Sequence, residues 1–369
     1  MNILIYVPQM AAFGGMERHV CDLARVLASR GHTVKLITTS NSLSSELRTG
    51  LSDAGVSLRE LARSRGKAGR LLKGVWLLRE ALRSEGTRWD LIYTNGQSAL
   101  ARVAWFAARP HTRIVHHHHT AADAQEQATW SRSFRRVMKQ APEIVACSRA
   151  TQEALSRALH RKDIKYHPYL TNTPVAAASV KDRIPPPDAP LHFGFTGRLV
   201  VEKGIAAICA LSRLDSLKDI KWHIHGSGAA FPPSYFTDFP NVVYHGAYSN
   251  GPQHADDLLK LDALVLFSSH NEGMPLSLIE AMSAGLPWIA TDRGGTREIA
   301  VSEPNCLVIE PSPSLDVLAA AVRTMADRIR AGVTSRREQR KSYDRVFSPP
   351  VVSHAWCQYL EAREPQIAR

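Results

Sequence analysis

The sequence predicts an α/β protein built from two doubly wound parallel sheets. Short apolar or β-branched runs alternate with longer helical patterns, and this alternation stops once and then restarts. The length of 369 residues fits two domains at about 100–200 residues each. With 44% hydrophobic and 22% charged residues, the composition is that of an ordinary globular protein. We therefore expect a cleft between the two domains, with ligands bound beyond the carboxyl ends of the strands.

The first half of the chain repeats a strand followed by a helix. Apolar residues recur at helical spacing from Met16 to Leu27, and Gly31 is typical of the position just after a helix. The strands predicted in this half are Asn2–Pro8, Thr33–Thr39, Leu91–Thr94, Arg113–His119 and Glu143–Cys147.

Periodicity stops between Thr171 and Pro190, where prolines and small residues predict a linker. We therefore divide the chain into a first domain at 1–172, a linker at 173–190, a second domain at 191–348 and a C-terminal segment at 349–369. That segment is predicted to form a helix near 351–362 that returns to the first domain. The predicted strands of the second domain are Leu191–Gly197, Ile220–His225, Val242–His245, Ala263–Phe267, Pro287–Thr291 and Cys306–Ile309. Its predicted helices are Lys203–Leu214, Pro252–Lys260, Pro275–Ala284, Thr296–Val301 and Ser314–Ala331.

Several classes of protein are excluded by simple features. The five cysteines are scattered without a C-x-x-C pair, which argues against a disulfide scaffold or a cysteine-bound zinc module and favours a reducing cytosol. No uncharged apolar run reaches about 18 residues, so no membrane-spanning helix is expected. The apolar start of the chain has no basic region before it and is predicted to be a strand rather than a signal peptide.

The basic charge lies entirely in the first domain. Residues 1–172 contain 26 Lys/Arg and 13 Asp/Glu, a net charge of +13, whereas residues 173–369 contain 20 and 21, a net charge of −1. Such an asymmetry suggests that one domain faces a polyanionic partner. Nucleic acid is disfavoured, because no helix-turn-helix, zinc-finger or aromatic RNA-binding string is present.

One basic segment is amphipathic. Residues 59–88 contain nine Lys/Arg, and a stripe of leucines with Val75 shares one face of a predicted helix, with Leu72 and Trp76 beside it. This pattern is typical of a helix that lies on an anionic membrane, and a second cluster of Trp, Phe and Arg at 130–139 favours the same interpretation. Packing of the apolar stripe on the sheet, with a solvated basic rim, is equally consistent, and both can hold. The candidate membrane-binding residues are Arg70, Lys73, Trp76, Arg79 and Arg83.

The segment 271–291 has the strongest site pattern. It follows a predicted strand, Pro275 suits a first helical position and Gly285 suits the end of the helix. The turn before the helix would present free backbone N–H groups to an anion. Glu272 and Glu280 could accept hydrogen bonds from paired sugar or ribose hydroxyls. Taken without the rest of the segment, the two glutamates favour the simpler interpretation of a solvated carboxylate and a surface helix residue.

Two further loops carry candidate ligand-binding residues. Arg198 and Lys203 follow a predicted strand and would place two cations where a diphosphate develops charge, although two solvated basic side chains would look the same. Gly14 and Gly15 follow the first strand, where glycine permits close approach of a ligand or simply makes a tight turn. The second domain has Gly226-Ser227-Gly228 without a third glycine, which disfavours a nicotinamide dinucleotide enzyme.

Four consecutive histidines, 116–119, end a predicted strand. Neighbouring side chains on a strand point to opposite faces, so at most two of the four point one way. No cysteine or carboxylate cluster stands nearby at ligand spacing, and we expect no metal site.

These motifs together resemble the retaining glycosyltransferases of family 4. From Glu272 to Thr291 the sequence matches E-G-x-P-x-x-x-x-E-A-M-A-x-G-x-P-V-I-A-T, with Ser283 in place of Ala and Trp288 in place of Val. Residues 197–204 resemble the family string G-R-L-x-x-x-K-G, and residues 14–17 resemble its G-G-x-E motif.

The resemblance implies a GT-B fold of two Rossmann-like domains and retaining hexosyl transfer without a metal cofactor. The donor would be a nucleotide-diphosphate sugar, with UDP favoured, and the acceptor a glycolipid, lipopolysaccharide or lipid-linked saccharide. By resemblance, Glu272 and either His119 or His118 serve at the transferred sugar as catalytic candidates. The candidate donor-binding residues are Gly14, Gly15, Arg198, Lys203, Gly273, Met274, Pro275, Leu276 and Glu280.

The expected location is the cytoplasm, peripherally bound to the inner face of the cell membrane. Two alternatives remain from the sequence. One is a nucleotide-sugar epimerase of the same fold, which needs no acceptor, and the other is a non-catalytic protein that binds lipids or polyanions.

Overall fold

The computed structural model describes residues 1–10, 14–38, 43–61, 66–83, 88–171, 175–247 and 252–362, without the side chains of 66–68, 70, 71 and 252. The chain divides into two compact units. The first unit comprises Met1–Asn172 and Pro349–Arg369, and the second comprises Thr173–Ser348.

The first unit contains a wholly parallel sheet. Over the described residues its order is β3-β2-β1-β4-β5-β6-β7. These strands are β1 Asn2–Val7, β2 Thr33–Thr38, β3 Ser57–Glu60, β4 Leu91–Asn95, β5 Arg113–His118, β6 Glu143–Ala146 and β7 Lys165–Tyr166. The helices that alternate with them are α1 Gly15–Ser29, α2 Ser45–Asp53, α3 Gly66–Leu82, α4 Ala101–Trp105, α5 Ala124–Thr129, α6 Arg132–Gln140 and α7 Arg149–Leu159.

Both faces of this sheet are buried. In β1, Ile3 and Ile5 belong to a core cluster that includes α1 residues, whereas Leu4 and Tyr6 belong to a second cluster that includes α3 and α4 residues. A strand whose side chains are buried on both sides has a nearly continuous apolar sequence, as β1 has. The doubly wound architecture follows from this pattern.

The second unit contains another wholly parallel sheet, with the order β10-β9-β8-β11-β12-β13 over the described residues. Its strands are β8 Leu191–Thr196, β9 Ile220–His225, β10 Val242–Tyr244, β11 Ala263–Leu266, β12 Trp288–Thr291 and β13 Cys306–Ile309. Its helices are α8 Ile205–Leu211, α9 Pro252–Lys260, α10 Leu276–Ser283, α11 Leu315–Arg330 and α12 Arg336–Val346. Short 3₁₀ turns occur at Ala177–Ser179, Val201–Lys203, Asp215–Leu217, Pro233–Asp238 and Arg297–Ile299. The prediction of two doubly wound parallel sheets is confirmed.

The last helix, α13 Pro349–Glu361, packs in the first unit. Its two leading prolines occupy the first helical turn, where a missing backbone N–H costs nothing. The buried Trp356 donates from Nε1 to the Pro168 carbonyl at 2.8 Å and lies against His117 with ring centroids 5.0 Å apart. The C-terminal helix thereby supports the end of β5.

Several element boundaries differ from the sequence predictions. The helix expected at 203–214 begins with a 3₁₀ turn and is α-helical only over Ile205–Leu211, and the helix expected at 296–301 is a 3₁₀ turn. The elements β3, β7, α2 and α12 were not predicted. Among the described residues, no helix combines the length and the apolar character needed to cross a membrane.

Candidate functional site

Two loops meet at the carboxyl edge of the second sheet. One follows β8 and contains Lys203; the other follows β11 and contains Glu272. The Lys203 ammonium lies 2.6 Å from Oε1 of Glu272. Between them the backbones are in close contact, because a Cβ at Gly204 would lie 2.3 Å from the carbonyl oxygen of Phe267, and Gly204 also has φ of +77°. The two loops can lie this close because residue 204 is a glycine and has no side chain.

Glu272 is held by its own loop as well as by Lys203. Its side chain is nearly buried, and its Oε1 accepts a hydrogen bond from the Ser268 hydroxyl at 2.6 Å. Its backbone forms a bridge to Gly294, and its carbonyl accepts from the amide of Gly295 at 3.0 Å. The Gly294-Gly295 turn therefore supports the Glu272 loop.

The charge state of Glu272 follows from these contacts. Burial by itself raises the pKa of the carboxyl group. The charges of Lys203 and His270, with the hydrogen bonds from Lys203 and Ser268, outweigh burial and lower the pKa below its usual value. Glu272 is thus a buried carboxylate at neutral pH.

Helix α10 begins just after Glu272. Pro275 stands at the N-cap rather than at the first helical position that the sequence predicted, and Leu276 is the first helical residue. The first amide bonded back along the chain is that of Leu278, which donates to the Pro275 carbonyl. The amides of Leu276 and Ser277 lie before this first hydrogen bond, at the start of the helix. Backbone N–H groups in this position favour the binding of an anion.

Glu280 lies inside α10, one turn beyond its start. Its residue exposure is 2%, so the alternative of a solvent-facing glutamate is excluded. Its Oε2 lies 3.2 Å from Nε2 of His254 on α9. A buried glutamate needs such a polar partner.

Arg198 occupies the same edge with its side chain exposed. Among the described residues it has no carboxylate partner, in contrast to Lys203. The sequence analysis missed the structural role of Gly226 and Gly228 in placing it. A Cβ at these positions would lie 1.9 Å from the Gly197 carbonyl oxygen and 2.1 Å from that of Leu199, respectively. The loop after β9 therefore supports the Arg198 loop by backbone contact. The sequence signal for this contact was the pair of glycines, Gly226 and Gly228, directly after a predicted strand.

In the first unit, Gly14 and Gly15 begin helix α1. Gly14 has an extended backbone that any residue can adopt, so its conformation does not require glycine. A Cβ there would lie 2.1 Å from Oε2 of Glu17, whose side chain folds over the helix start.

The four histidines alternate across the sheet, as predicted. His117 and His119 lie on the side of His19, Tyr169 and Trp356, with the rings of His117 and His119 3.9 Å apart. His116 and His118 lie on the side of Phe134.

His118 and His119 differ in their partners. Nε2 of His118 lies 3.0 Å from Oε1 of Glu126, whereas neither ring nitrogen of His119 has a hydrogen-bond partner among the described residues. Burial is the largest cause that lowers the pKa of His119 well below its usual value, so its imidazole is neutral. Within the part of the chain that the structure describes, no group of three or more His, Cys, Asp or Glu side chains has an arrangement that could hold a metal ion.

Comparisons with known proteins identify the family of the chain. The family model described as Glycosyltransferase Family 4 matches residues 13–168, and the one described as Glycosyl transferases group 1 matches residues 190–328. The chain belongs to the family 4-type GT-B glycosyltransferases. Glycosyltransferases of known name are similar to it in sequence, one of them over most of the chain, and solved structures of this fold superpose over nearly the whole chain.

Three of these similar proteins illustrate the range. D-inositol 3-phosphate glycosyltransferase of Xylanimonas cellulosilytica is 26% identical over 377 residues, covering 89% of this chain and 88% of that protein. Lipopolysaccharide 1,6-galactosyltransferase of Salmonella typhimurium is 28% identical over 152 residues, covering 38% of this chain and 40% of that protein. The structure of Anabaena HepE in complex with UDP and glucose has a TM-score of 0.78 at 19% identity, covering 98% of this chain and 99% of that one.

The basic helix α3 of this glycosyltransferase packs differently from the predicted stripe. Leu77 and Ala81 are buried and Trp76 is half-buried against the same core cluster. Val75 and Leu82, which were expected to pack on the sheet, are 60% and 48% exposed, and Leu72 is 64% exposed. Arg79 and Arg83 are also exposed and Lys73 is half-buried, while the side chain of Arg70 lies outside the described residues.

The prediction that the aromatic residues of the second basic cluster, at 130–139, face a membrane is wrong. Trp130 and Phe134 are buried in a core cluster with Val137 and Met138 of α6. All the exposed side chains of that helix are polar, and the basic ones among them are Arg132, Arg135, Arg136 and Lys139. The apolar periodicity of α6 reflects packing inside the first unit.

Replacement of Lys203 by methionine tests the buried pair. Loss of the ammonium leaves the Glu272 carboxylate buried without its cation, so its pKa should rise above the ordinary 4.5 and the protein should lose about 3 kcal/mol of stability at neutral pH. A carboxyl group whose pKa is lower in the folded than in the unfolded protein stabilises the folded state at a pH above its unfolded-state pKa. This stabilisation is lost as the pH falls through the folded-state pKa. The deficit of the variant in unfolding free energy should therefore shrink as the pH falls below 4.5.

The measurement is chemical denaturation of both proteins at neutral and acidic pH, with carboxyl ¹³C NMR to follow Glu272. Lys260→Met is the control, because the Lys260 ammonium is exposed in a surface pair with Asp257 and its loss should change little at either pH. An equal deficit of Lys203→Met at both pH values would contradict the assignment.

Proposed function

We propose that this glycosyltransferase moves a sugar from a UDP-sugar, with retention of configuration, to a glycolipid, lipopolysaccharide or other lipid-linked saccharide. The proposal rests above all on one observation. The loops after β8 and β11 are joined by the 2.6 Å contact between Lys203 and Glu272, with Arg198 exposed at the same edge. A diphosphate needs cations and amide donors together in such a place.

The diphosphate would be bound without a divalent cation. Arg198 supplies a planar guanidinium for two phosphate oxygens. Lys203 has three N–H donors, of which one goes to Glu272, so two remain for phosphate among the described contacts. The segment from Gly273 through Met274 and Pro275 to Leu276 brings the start of α10 to the same anion.

The two buried glutamates would bind hydroxyls of the donor. Glu280 reaches the ribose from within α10, with His254 fixing its carboxylate. Glu272 contacts the donor sugar while Lys203 and Ser268 keep it charged and oriented. Each carboxylate accepts from a pair of neighbouring hydroxyls, which is the hydrogen-bond pattern that sugars offer.

His119 is the stronger of the two histidine candidates for the transferred sugar. Its ring is neutral and both nitrogens lack partners among the described residues, so one can accept from and one can donate to a hydroxyl. His118 is already engaged with Glu126. Gly14 and Gly15 stand at the start of α1, and a donor phosphate would approach the backbone there once the Glu17 carboxylate, which lies over Gly14, has turned away.

The choice of UDP and of a glycolipid acceptor is supported by the similar proteins. Anabaena HepE holds UDP and glucose in the same fold, and the similar Salmonella protein is named for galactosyl transfer to lipopolysaccharide. The exposed apolar and basic surface of α3 fits an acceptor that is embedded in a membrane.

Replacement of Glu280 by glutamine tests the donor site. The amide keeps the volume of the side chain but loses the charge that two hydroxyl donors need, so turnover of UDP-glucose should fall at least about a hundredfold. Because the acceptor is not identified, turnover is measured as the hydrolysis of UDP-glucose, with water in place of the acceptor. A thermal-shift screen of UDP-, GDP- and ADP-sugars identifies the donor.

The exposed Glu338→Gln on α12 is the matched control and should behave as wild type. Unchanged turnover by Glu280→Gln would rule out this site. An epimer formed from UDP-glucose alone would favour the epimerase instead.

We also propose that α3 binds the inner face of the cell membrane, where the acceptor lies. Leu72, Val75 and Leu82 give it an exposed apolar row, and Arg79 and Arg83 stand beside that row. Each basic residue near an anionic leaflet contributes about 1 kcal/mol, and insertion of the apolar row adds to this. Peripheral attachment in the cytoplasm follows.

Exchange of Arg70, Lys73, Arg79 and Arg83 for Glu should greatly reduce sedimentation with phosphatidylglycerol vesicles. The same exchange at Arg132, Arg135, Arg136 and Lys139 is the matched control, because α6 has four exposed basic residues but a buried apolar face. A third variant, with Ser at Leu72, Val75 and Leu82, should lose the binding that persists at high salt. Equal losses in the two charge-reversed variants would contradict a role specific to α3.

A further inference from the structure

One carboxylate in the first unit connects several chain segments next to β5. Oε1 of Glu126 accepts from Gln97 Nε2 at 2.8 Å, from the Thr120 hydroxyl at 2.7 Å and from Trp130 Nε1 at 3.1 Å. Oε2 accepts from the backbone amide of Ala122 at 2.7 Å. The donors come from the loop after β4, the turn after β5 and the end of α5.

The same carboxylate also bonds the last residue of β5. Oε1 of Glu126 lies 3.0 Å from Nε2 of His118, which in turn lies 3.0 Å from the hydroxyl of Thr120. His118 and Thr120 are the two chain neighbours of His119. The side chains on both sides of His119 therefore bond to one carboxylate.

The turn that Glu126 holds has an unfavourable backbone. Ala122 has φ of +54°, a left-handed conformation that costs energy for a residue with a Cβ. It is retained because its amide donates to Glu126 and its carbonyl accepts from Gln127 Nε2 at 2.6 Å. Without the carboxylate, this turn would lose the bond that opposes its relaxation.

Glu126 remains charged in this place. Burial raises the pKa of its carboxyl group, but the hydrogen bonds from His118, Thr120 and Ala122 outweigh burial and lower that pKa to about 2. Charge-assisted hydrogen bonds are roughly twice as strong as neutral ones. The carboxylate can therefore fix the turn more firmly than a neutral acceptor would.

The His119 ring is restrained by packing rather than by hydrogen bonds to its nitrogens. It stacks on Tyr169 with centroids 5.3 Å apart and lies beside His117, and its backbone carbonyl accepts from the Tyr169 hydroxyl at 2.7 Å. No hydrogen bond among the described residues holds either ring nitrogen. The direction of the ring thus depends on this packing together with the place that the backbone of the turn gives it.

We propose that Glu126 is a positioning residue for His119, acting through the turn 118–122 rather than by contact with substrate. The proposal rests on the function proposed above, in which His119 meets the transferred sugar. Glu126 holds the imidazole where its unpartnered nitrogens can reach a hydroxyl. Misplacement of such a group by about 1 Å can cost about a hundredfold in rate.

The test compares Glu126→Ala and Glu126→Gln with a control in the same unit, Glu143→Ala. Glu143 on β6 accepts from Arg113 at 2.6 Å and from the Tyr359 hydroxyl at 2.8 Å, so its loss removes a comparable carboxylate that bonds elsewhere. Two quantities are measured: kcat and KM for UDP-glucose hydrolysis, and the ¹⁵N shifts of the His119 ring, assigned with His119→Asn.

Glu126→Ala should lower kcat by about 10- to 100-fold with little change in KM, and should shift the His119 ring signals. Glu126→Gln keeps one carbonyl acceptor and should recover part of the rate. Glu143→Ala should lower the Tm without moving either quantity. If Glu126→Ala is too unstable to purify, Glu126→Gln carries the comparison, because its ring signals and kcat should still differ from wild type.

Unchanged ring signals and kcat in the Glu126 variants would overturn the proposal, as would equal changes in Glu143→Ala. Failure of the proposed function is distinguishable, because wild-type protein would then turn over no nucleotide sugar while the ring signals would still report on positioning.

Discussion

The ion pair between Lys203 and Glu272 is the interaction on which the second-unit site depends. A carboxylate so deeply buried is unfavourable by several kcal/mol unless a cation and hydrogen-bond donors compensate it. Here the cation comes from the loop after β8 and the hydroxyl of Ser268 from the loop after β11. These loops flank the point where the strand order of the sheet reverses, which is where α/β sheets bind ligands.

The loops come close enough to form this ion pair because glycines stand where their backbones touch. Gly204 lies against the Phe267 carbonyl and Gly294 against that of Glu272, each closer than a Cβ would allow. The charge distribution then favours an anion. Glu272 and Glu280 have partners within the protein, whereas Arg198 is exposed without a carboxylate partner among the described residues. In the first unit, burial keeps the imidazoles of His117 and His119 neutral, and Glu126 is a carboxylate held by hydrogen bonds.

Much of this could be predicted from local sequence. The apolar strands with helices between them define both sheets, and the segment 272–291 identifies the site loop and its helix. The strands β3 and β7 were missed because they are short and only partly buried. Helix α12 was missed because its buried residues are Arg336, Gln339, Ser342 and Tyr343, of which only the tyrosine is a residue type that indicates a buried face.

Contacts between distant segments were beyond the sequence pattern. Lys203 and Glu272 are 69 residues apart, and periodicity does not say which two loops will touch. The apolar stripes of α3 and α6 look alike in sequence, yet Val75 is exposed and Phe134 is buried. The partner helices decide this, and their positions are a tertiary property. For the same reason the role of Glu126 is visible only when the turn after β5 is seen folded around it.

We propose above that Arg198, Lys203 and the start of α10 bind a nucleoside diphosphate without a metal ion. Calorimetric titration of UDP in the presence of EDTA tests it most directly, with Arg198→Gln compared with Arg213→Gln, an exposed arginine that stacks on Phe239. Wild type and Arg213→Gln should bind UDP equally, and Arg198→Gln should bind about tenfold more weakly, the loss of one charge-assisted contact. Binding that requires a divalent cation, or equal affinity in all three proteins, would contradict the account.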